Sequence, residues 1–182
     1  MADPAYITFS ADIQPPMCQP FIGLINELIQ QGHDEVHVLM TSPGGSVMIG
    51  VALFNMLRAL PVTLVTHNVG NIDSVGNVVF LAGDRRYSAP HGTFMFHGVH
   101  WGVQAPQMSG ATAREVVANI QADEDRIADI IASRTHLTSE AVKEFFNVAA
   151  TKDAAFAAEV GIVDEIAEPA IPAGSVIRPF SV

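Results

Sequence analysis

The sequence predicts an α/β fold with a parallel sheet, on three observations. Short apolar runs rich in β-branched residues recur, at residues 36–40 and 62–66, as strands buried on both faces require. Each run is followed within a few residues by apolar positions at helical spacing. The connections are short, so successive strands run parallel with helices packed on them.

In chain order, the alternation at 6–10 predicts a strand and Pro15-Pro16 breaks the chain. Phe21, Ile22, Leu24, Ile25, Leu28 and Ile29 then predict a helix ended by Gly32. Residues 36–40 form a strand that leads into Thr41-Ser42-Pro43-Gly44-Gly45-Ser46. Val47, Val51, Leu53, Phe54 and Leu57 mark a second helix, stopped before Pro61. A strand at 62–66, a loop at 67–73 and a helix at 74–82 follow, then short strands at 86–88 and 93–96. Residues 98–110 read as a long loop and 111–135 as the longest helix. Helices at 137–146, with Thr138 as N-cap, and at 151–160 precede a closing strand at 162–166. The tail from residue 169 carries three prolines and is expected to lie over a surface or a neighbouring subunit.

Length and composition bound the function. The 182 residues fit a single domain, and 49% apolar with 15% charged residues suits a packed core. The net charge of −10 argues against nucleic-acid binding and against a basic membrane-surface site. One cysteine, Cys18, excludes an internal disulfide and a multi-cysteine zinc site. With no basic leader and no apolar run of spanning length, the expectation is a cytoplasmic protein with no membrane segment. His91, His97 and His100 do not share one strand parity, so no metal site and no cofactor are expected.

Three strand ends carry the chemistry. Ser42-Pro43-Gly44-Gly45 follows one strand and opens a helix, where glycine amides favour negative charge. No Lys follows at phosphate-loop spacing. Ser74 ends another strand with the Val75 amide beside it, although Asp73 and Ser74 are also ordinary helix caps. His97 ends an apolar strand ahead of a loop, a sound position for a general base. The carboxyl ends of neighbouring parallel strands gather in one place. A nucleophile, a base and two sets of backbone donors there fit serine acyl transfer.

The order Ser42-Pro43-Gly44-Gly45-Ser46, Asp73-Ser74-Val75-Gly76, Phe94-Met95-Phe96-His97 and Gly161-Ile162-Val163-Asp164 resembles the Clp protease proteolytic subunit over residues 35–166. The resemblance implies a crotonase-like, ClpP-like superhelix of ββα units forming a single domain over 1–182. Residues 1–96 and 136–166 would form its head, 97–135 a loop and protruding handle helix, and 167–182 a C-terminal tail. It implies Ser74 as nucleophile, His97 as base, and Gly45 and Val75 as oxyanion-hole amides. Ser42, Gly44 and Ser46 would flank an extended peptide or unfolded-protein substrate. The family's third catalytic residue is an Asp. Counting back from Gly161 reaches Ala149, whereas anchoring on Thr151 as a helix cap reaches Asn147, with Asp153 as the other candidate. It further implies a homo-oligomer of stacked rings and an AAA+ ATPase partner. The five residues or so ahead of the first strand leave little for the family's docking segment.

Two other readings compete. One is a catalytically impaired scaffold or peptide-binding protein of the same fold. The other is a crotonase-type enzyme acting on an acyl-CoA thioester. A Ser/Lys dyad is disfavoured, because Lys143 and Lys152 are the only lysines and neither follows a strand end near Ser74.

Overall fold

The computed structural model describes residues 3–102 and 108–180. Its centre is a set of parallel strands: β1 (Ala5–Ser10), β2 (Glu35–Ser42) and β3 (Thr63–Asp73). Helix α1 (Pro15–Gln30) joins β1 to β2, and α2 (Val47–Ala59) joins β2 to β3. Pro15 and Pro16 open α1, where a missing N–H costs nothing. In β2 every second residue is buried. Ala5, Ile7 and Phe9 of β1 and Val36, Val38 and Met40 of β2 enter the core. There they meet Met17, Phe21, Ile25 and Leu28 of α1. Each fully buried side chain of this size stabilises the fold by roughly 1.5–3 kcal/mol.

Strand β3 is longer than the sequence predicts, running through the expected loop at 67–73 to Asp73. Its polar second half has a partner on each side. On one side, β4 (Arg85–Ser88) pairs with Val65 to Asn68, and β5 (Thr93–Met95) pairs with Asn71 to Asp73. On the other, β2 continues past an irregularity between Met40 and Ser42, so that Ser42 pairs with Ile72. Non-local pairing overrides loop-like composition here. The helix expected at 74–82 is the short α3 (Gly76–Phe80).

After the long α4 (Gly110–Arg134), α5 (Ser139–Val148) begins at Thr138, whose hydroxyl accepts the Ala141 amide. The helix expected at 151–160 divides. Thr151–Asp153 forms β6, antiparallel to β5, and α6 (Ala154–Glu159) begins only at the Asp153 cap. The closing strand shrinks to β7 (Glu165–Ile166), paired with β4. The tail holds an unexpected strand, β8 (Val176–Phe180), parallel to β1. Phe180 seals it by packing on Phe9 and Phe21, with ring centroids 5.4 and 5.1 Å away. The sheet order is β6-β5-β3-β2-β1-β8, with β4 and β7 branching from β3. Part of the expected 98–110 loop lies outside the described residues. Among those described, no helix is long and apolar enough to cross a membrane.

Candidate active site

The site forms where β2, β3 and β5 end side by side. Because Asp73 and Met95 are in register, Ser74 and His97 leave neighbouring strands one and two residues past the last paired position. Adjacent strands lie about 4.8 Å apart. Ser74 and His97 both line one cleft of about 550 Å3, together with Gly45 and Ser46. Its remaining wall is largely apolar, with Met48, Phe96, Val99, Trp101, Ile127 and Phe146.

Ser74 adopts φ +57°, a left-handed conformation rare outside glycine, asparagine and aspartate. The strain, on the order of 1 kcal/mol, is held by surrounding bonds. The Ser74 amide donates to the Met95 carbonyl at 2.8 Å. The buried Asn77 side chain donates to the carbonyls of both Ser74 (3.0 Å) and Met95 (2.9 Å). The ordinary cap role falls away, since Val75 occupies the N-cap position of α3 and no side chain caps it. Among the described residues the Ser74 hydroxyl has no protein hydrogen-bond partner. The neighbouring Asp73 carboxylate accepts from Asn71 Nδ2 at 2.6 Å, which occupies it along the strand.

Opposite lies the Pro43-Gly44-Gly45 loop. Gly44 (φ +90°) passes so close that a Cβ would sit 2.7 Å from both the Asp73 carbonyl and the Ser74 Cβ. Gly45 (φ +148°) would place one 2.2 Å from the Ile13 carbonyl. Only glycine allows this approach. Its payoff is an exposed Gly45 amide. Among the described residues neither that amide nor the one on buried Val75 donates to a protein acceptor. Unpaired amides beside a nucleophile can receive negative charge developing there.

His97 is half-buried. Its Nδ1 pairs with the Gly98 carbonyl at 2.7 Å, so Nδ1–H is the donor and Nε2 carries the free lone pair. The His100 ring lies 5.0 Å away. Asn147 makes no hydrogen bond to this imidazole: it is exposed on α5, and its side chain forms no hydrogen bond among the described residues. The anchor for placing it also fails, because Thr151 pairs with Met95 in a strand and caps no helix. Asp153 caps α6 through the Phe156 amide at 2.8 Å and pairs with Thr93, four residues before His97.

Two expected substrate contacts are otherwise engaged. Buried Ser42 donates its hydroxyl to the Ala11 carbonyl (2.9 Å) and accepts the Gly44 amide (3.2 Å). The Gly44 carbonyl accepts from Ile13. Both shape the loop from within, and only Ser46 of the three lines the cleft. Sequence reasoning missed Asn77. Its one signal is a carboxamide three residues after Ser74, at a position whose neighbours are all apolar or glycine.

The description "Clp protease" belongs to the family model that matches residues 2–170. The chain belongs to the Clp protease family. It resembles ATP-dependent Clp protease proteolytic subunit 1 of Corynebacterium jeikeium at 30% identity, over 72% of this chain and 70% of that one. Subunit 2 of Pseudomonas aeruginosa is 26% identical, over 85% and 76% of the two chains. Subunit 1 of Leifsonia xyli subsp. xyli is 27% identical, over 75% and 69%. As a Clp protease family member the chain is an enzyme of the serine-peptidase class. The crotonase-type acyl-CoA reading has no support in these relatives.

Proposed function

We propose that the chain is a serine endopeptidase in which Ser74 is the nucleophile and His97 the general base. One observation carries the reading: Ser74, on a strained backbone and with a hydroxyl unpartnered among the described residues, shares a cleft with His97 and Gly45, whose amide is likewise unpaired there. In this mechanism His97 Nε2 takes the proton as Ser74 Oγ attacks the scissile carbonyl. The resulting oxyanion accepts from the Gly45 and Val75 amides, each such donor being worth about 3 kcal/mol in the transition state. The imidazolium then protonates the departing amine. Water, deprotonated by the same imidazole, releases the acyl group. The apolar wall receives an apolar side chain of the substrate.

The reading extends to assembly. Of the 25 residues of α4, only Ile127, Ala128 and Ile131 are buried. Val117 is 52% exposed, and Val116 and Ile120 are half-covered. Such a helix suits a handle that interdigitates between two stacked rings, with the sites facing an enclosed chamber. The relatives are named as ATP-dependent, which supports an ATPase that delivers unfolded protein.

Turnover of a fluorogenic peptide tests the chemistry. Ser74→Ala and His97→Ala are expected to lower kcat by at least about a thousandfold while leaving the fold intact. A Ser74→Ala variant that keeps parental turnover removes the reading. A non-catalytic scaffold is favoured by one feature, the lack of any described side-chain carboxylate or carboxamide bonded to His97. A parent protein that hydrolyses no peptide would establish that alternative.

A further inference from the structure

The acidic run Asp123-Glu124-Asp125 in α4 divides its labour. Asp123 pairs with Arg126 at 2.9 Å and Asp125 with Lys143 at 2.6 Å, both on the surface. Glu124 has no cationic partner among the described residues. Its Oε1 accepts the Val99 backbone amide at 3.0 Å. That amide belongs to the same peptide group whose carbonyl, on Gly98, accepts from His97 Nδ1. A single rigid peptide plane therefore links imidazole to carboxylate: His97 Nδ1–H to Gly98 O=C, then Val99 N–H to Glu124 Oε1. Gly98 is the residue this arrangement tolerates, because a Cβ there would stand 2.8 Å from Glu124 Oε1.

We propose that Glu124 is a positioning residue for the general base, acting on His97 through the peptide between Gly98 and Val99. The inference rests on His97 being that base. Two physical effects follow from the geometry. Hydrogen bonds to a carboxylate are about twice as strong as neutral ones, so the loop carrying the Gly98 carbonyl is fixed to α4. Hydrogen bonds in series also polarise one another. A carboxylate on the N–H side makes the carbonyl a better acceptor and favours the imidazolium that forms during attack. The role that Asn147 or Asp153 was expected to fill by direct contact is filled across a peptide bridge, from a residue of α4 more than twenty positions downstream of His97.

The test is steady-state peptide turnover by Glu124→Ala, Glu124→Gln and Gly98→Ala, beside Ser74→Ala and His97→Ala. Glu124→Ala should lose about ten- to a hundredfold in kcat with KM within about threefold, the signature of a misplaced base. Glu124→Gln keeps an acceptor for the Val99 amide and should recover most of that loss, to within about fivefold of the parent. Gly98→Ala, which displaces the carboxylate from the other side, should reproduce the Glu124→Ala loss. The two together should be no worse than either alone. An unchanged kcat in Glu124→Ala, a Glu124→Gln variant as impaired as Glu124→Ala, or multiplying losses in the double variant would each overturn the inference. Those outcomes count against Glu124 alone when Ser74→Ala and His97→Ala abolish turnover. Turnover surviving in the latter two overturns the underlying reading as well.

Discussion

At Gly45 a single hydrogen atom in place of a side chain decides both stability and chemistry. Its φ of +148° is costly for any L-residue, and a Cβ would collide with the Ile13 carbonyl at 2.2 Å. Gly45→Ala must move the 43–46 loop away from Ile13, breaking the bonds that the Gly44 carbonyl and the Ser46 amide make there. The expected result is a stability loss of about 1–3 kcal/mol and at least about a hundredfold lower kcat/KM, as a proposed oxyanion donor is displaced. Thermal unfolding and turnover measure the two; parental kcat/KM in a folded Gly45→Ala protein would contradict this. That Ser74, His97 and Gly45 come together in one cleft was legible because each follows a strand end marked by local composition. The sequence concealed the use of Ser42, which depends on the Ala11 carbonyl 31 residues away. It concealed the partner of His97 for a related reason: a backbone carbonyl has no signature in a sequence.

At the scale of elements, legibility followed locality. Helices α1, α2 and α5 emerge from periodicity, since the backbone bonds that build a helix join residues only four positions apart. The second half of β3, the β6 strand and the β8 strand do not. Each is a strand only because a distant segment pairs with it. The sheet also has a face that periodicity leaves undescribed. Across it the Tyr6, His37, His67 and Tyr87 rings follow one another at 4.7, 5.1 and 5.1 Å. Glu35 accepts from His37 Nε2 at 2.8 Å and is also bonded to Arg85. With His37 Nδ1 accepting from His67 Nε2–H at 2.9 Å, the buried His67 Nδ1 has no partner among the described residues. Burial first, then the nearby His37 and Arg85, push the His67 imidazole down to about 4. An unfolded histidine takes up its proton near pH 6.5. Between those values the unfolded chain binds the extra proton, so stability falls as pH drops from about 6.5 towards 4, by at most about 3 kcal/mol from this residue. Urea unfolding across that range should show a shallower slope in His67→Leu; a slope equal to the parent's would contradict the assignment.

For the whole molecule, the proposal couples assembly to α4, which carries Val117 outward at one end and Ile127, Ala128 and Ile131 into the core at the other. A single copy leaves Val117 exposed and Val116 and Ile120 half-covered, and the proposed assembly would cover them. Light scattering at micromolar concentration is expected to report a species of many copies, and a stable 19.4 kDa particle would contradict the ring. The overall α/β class was legible because alternating strand and helix periods force parallel pairing. The extension of the sheet by β8 was not, because a proline-rich tail with one short apolar run carries no register of its own.

The most direct measurement is the site of covalent capture by a fluorophosphonate probe, read by intact mass and peptide mapping. A single adduct on Ser74, lost in His97→Ala under the same exposure, is the predicted result. A folded parent protein that stays unmodified at Ser74, or is modified equally without His97, would contradict the account.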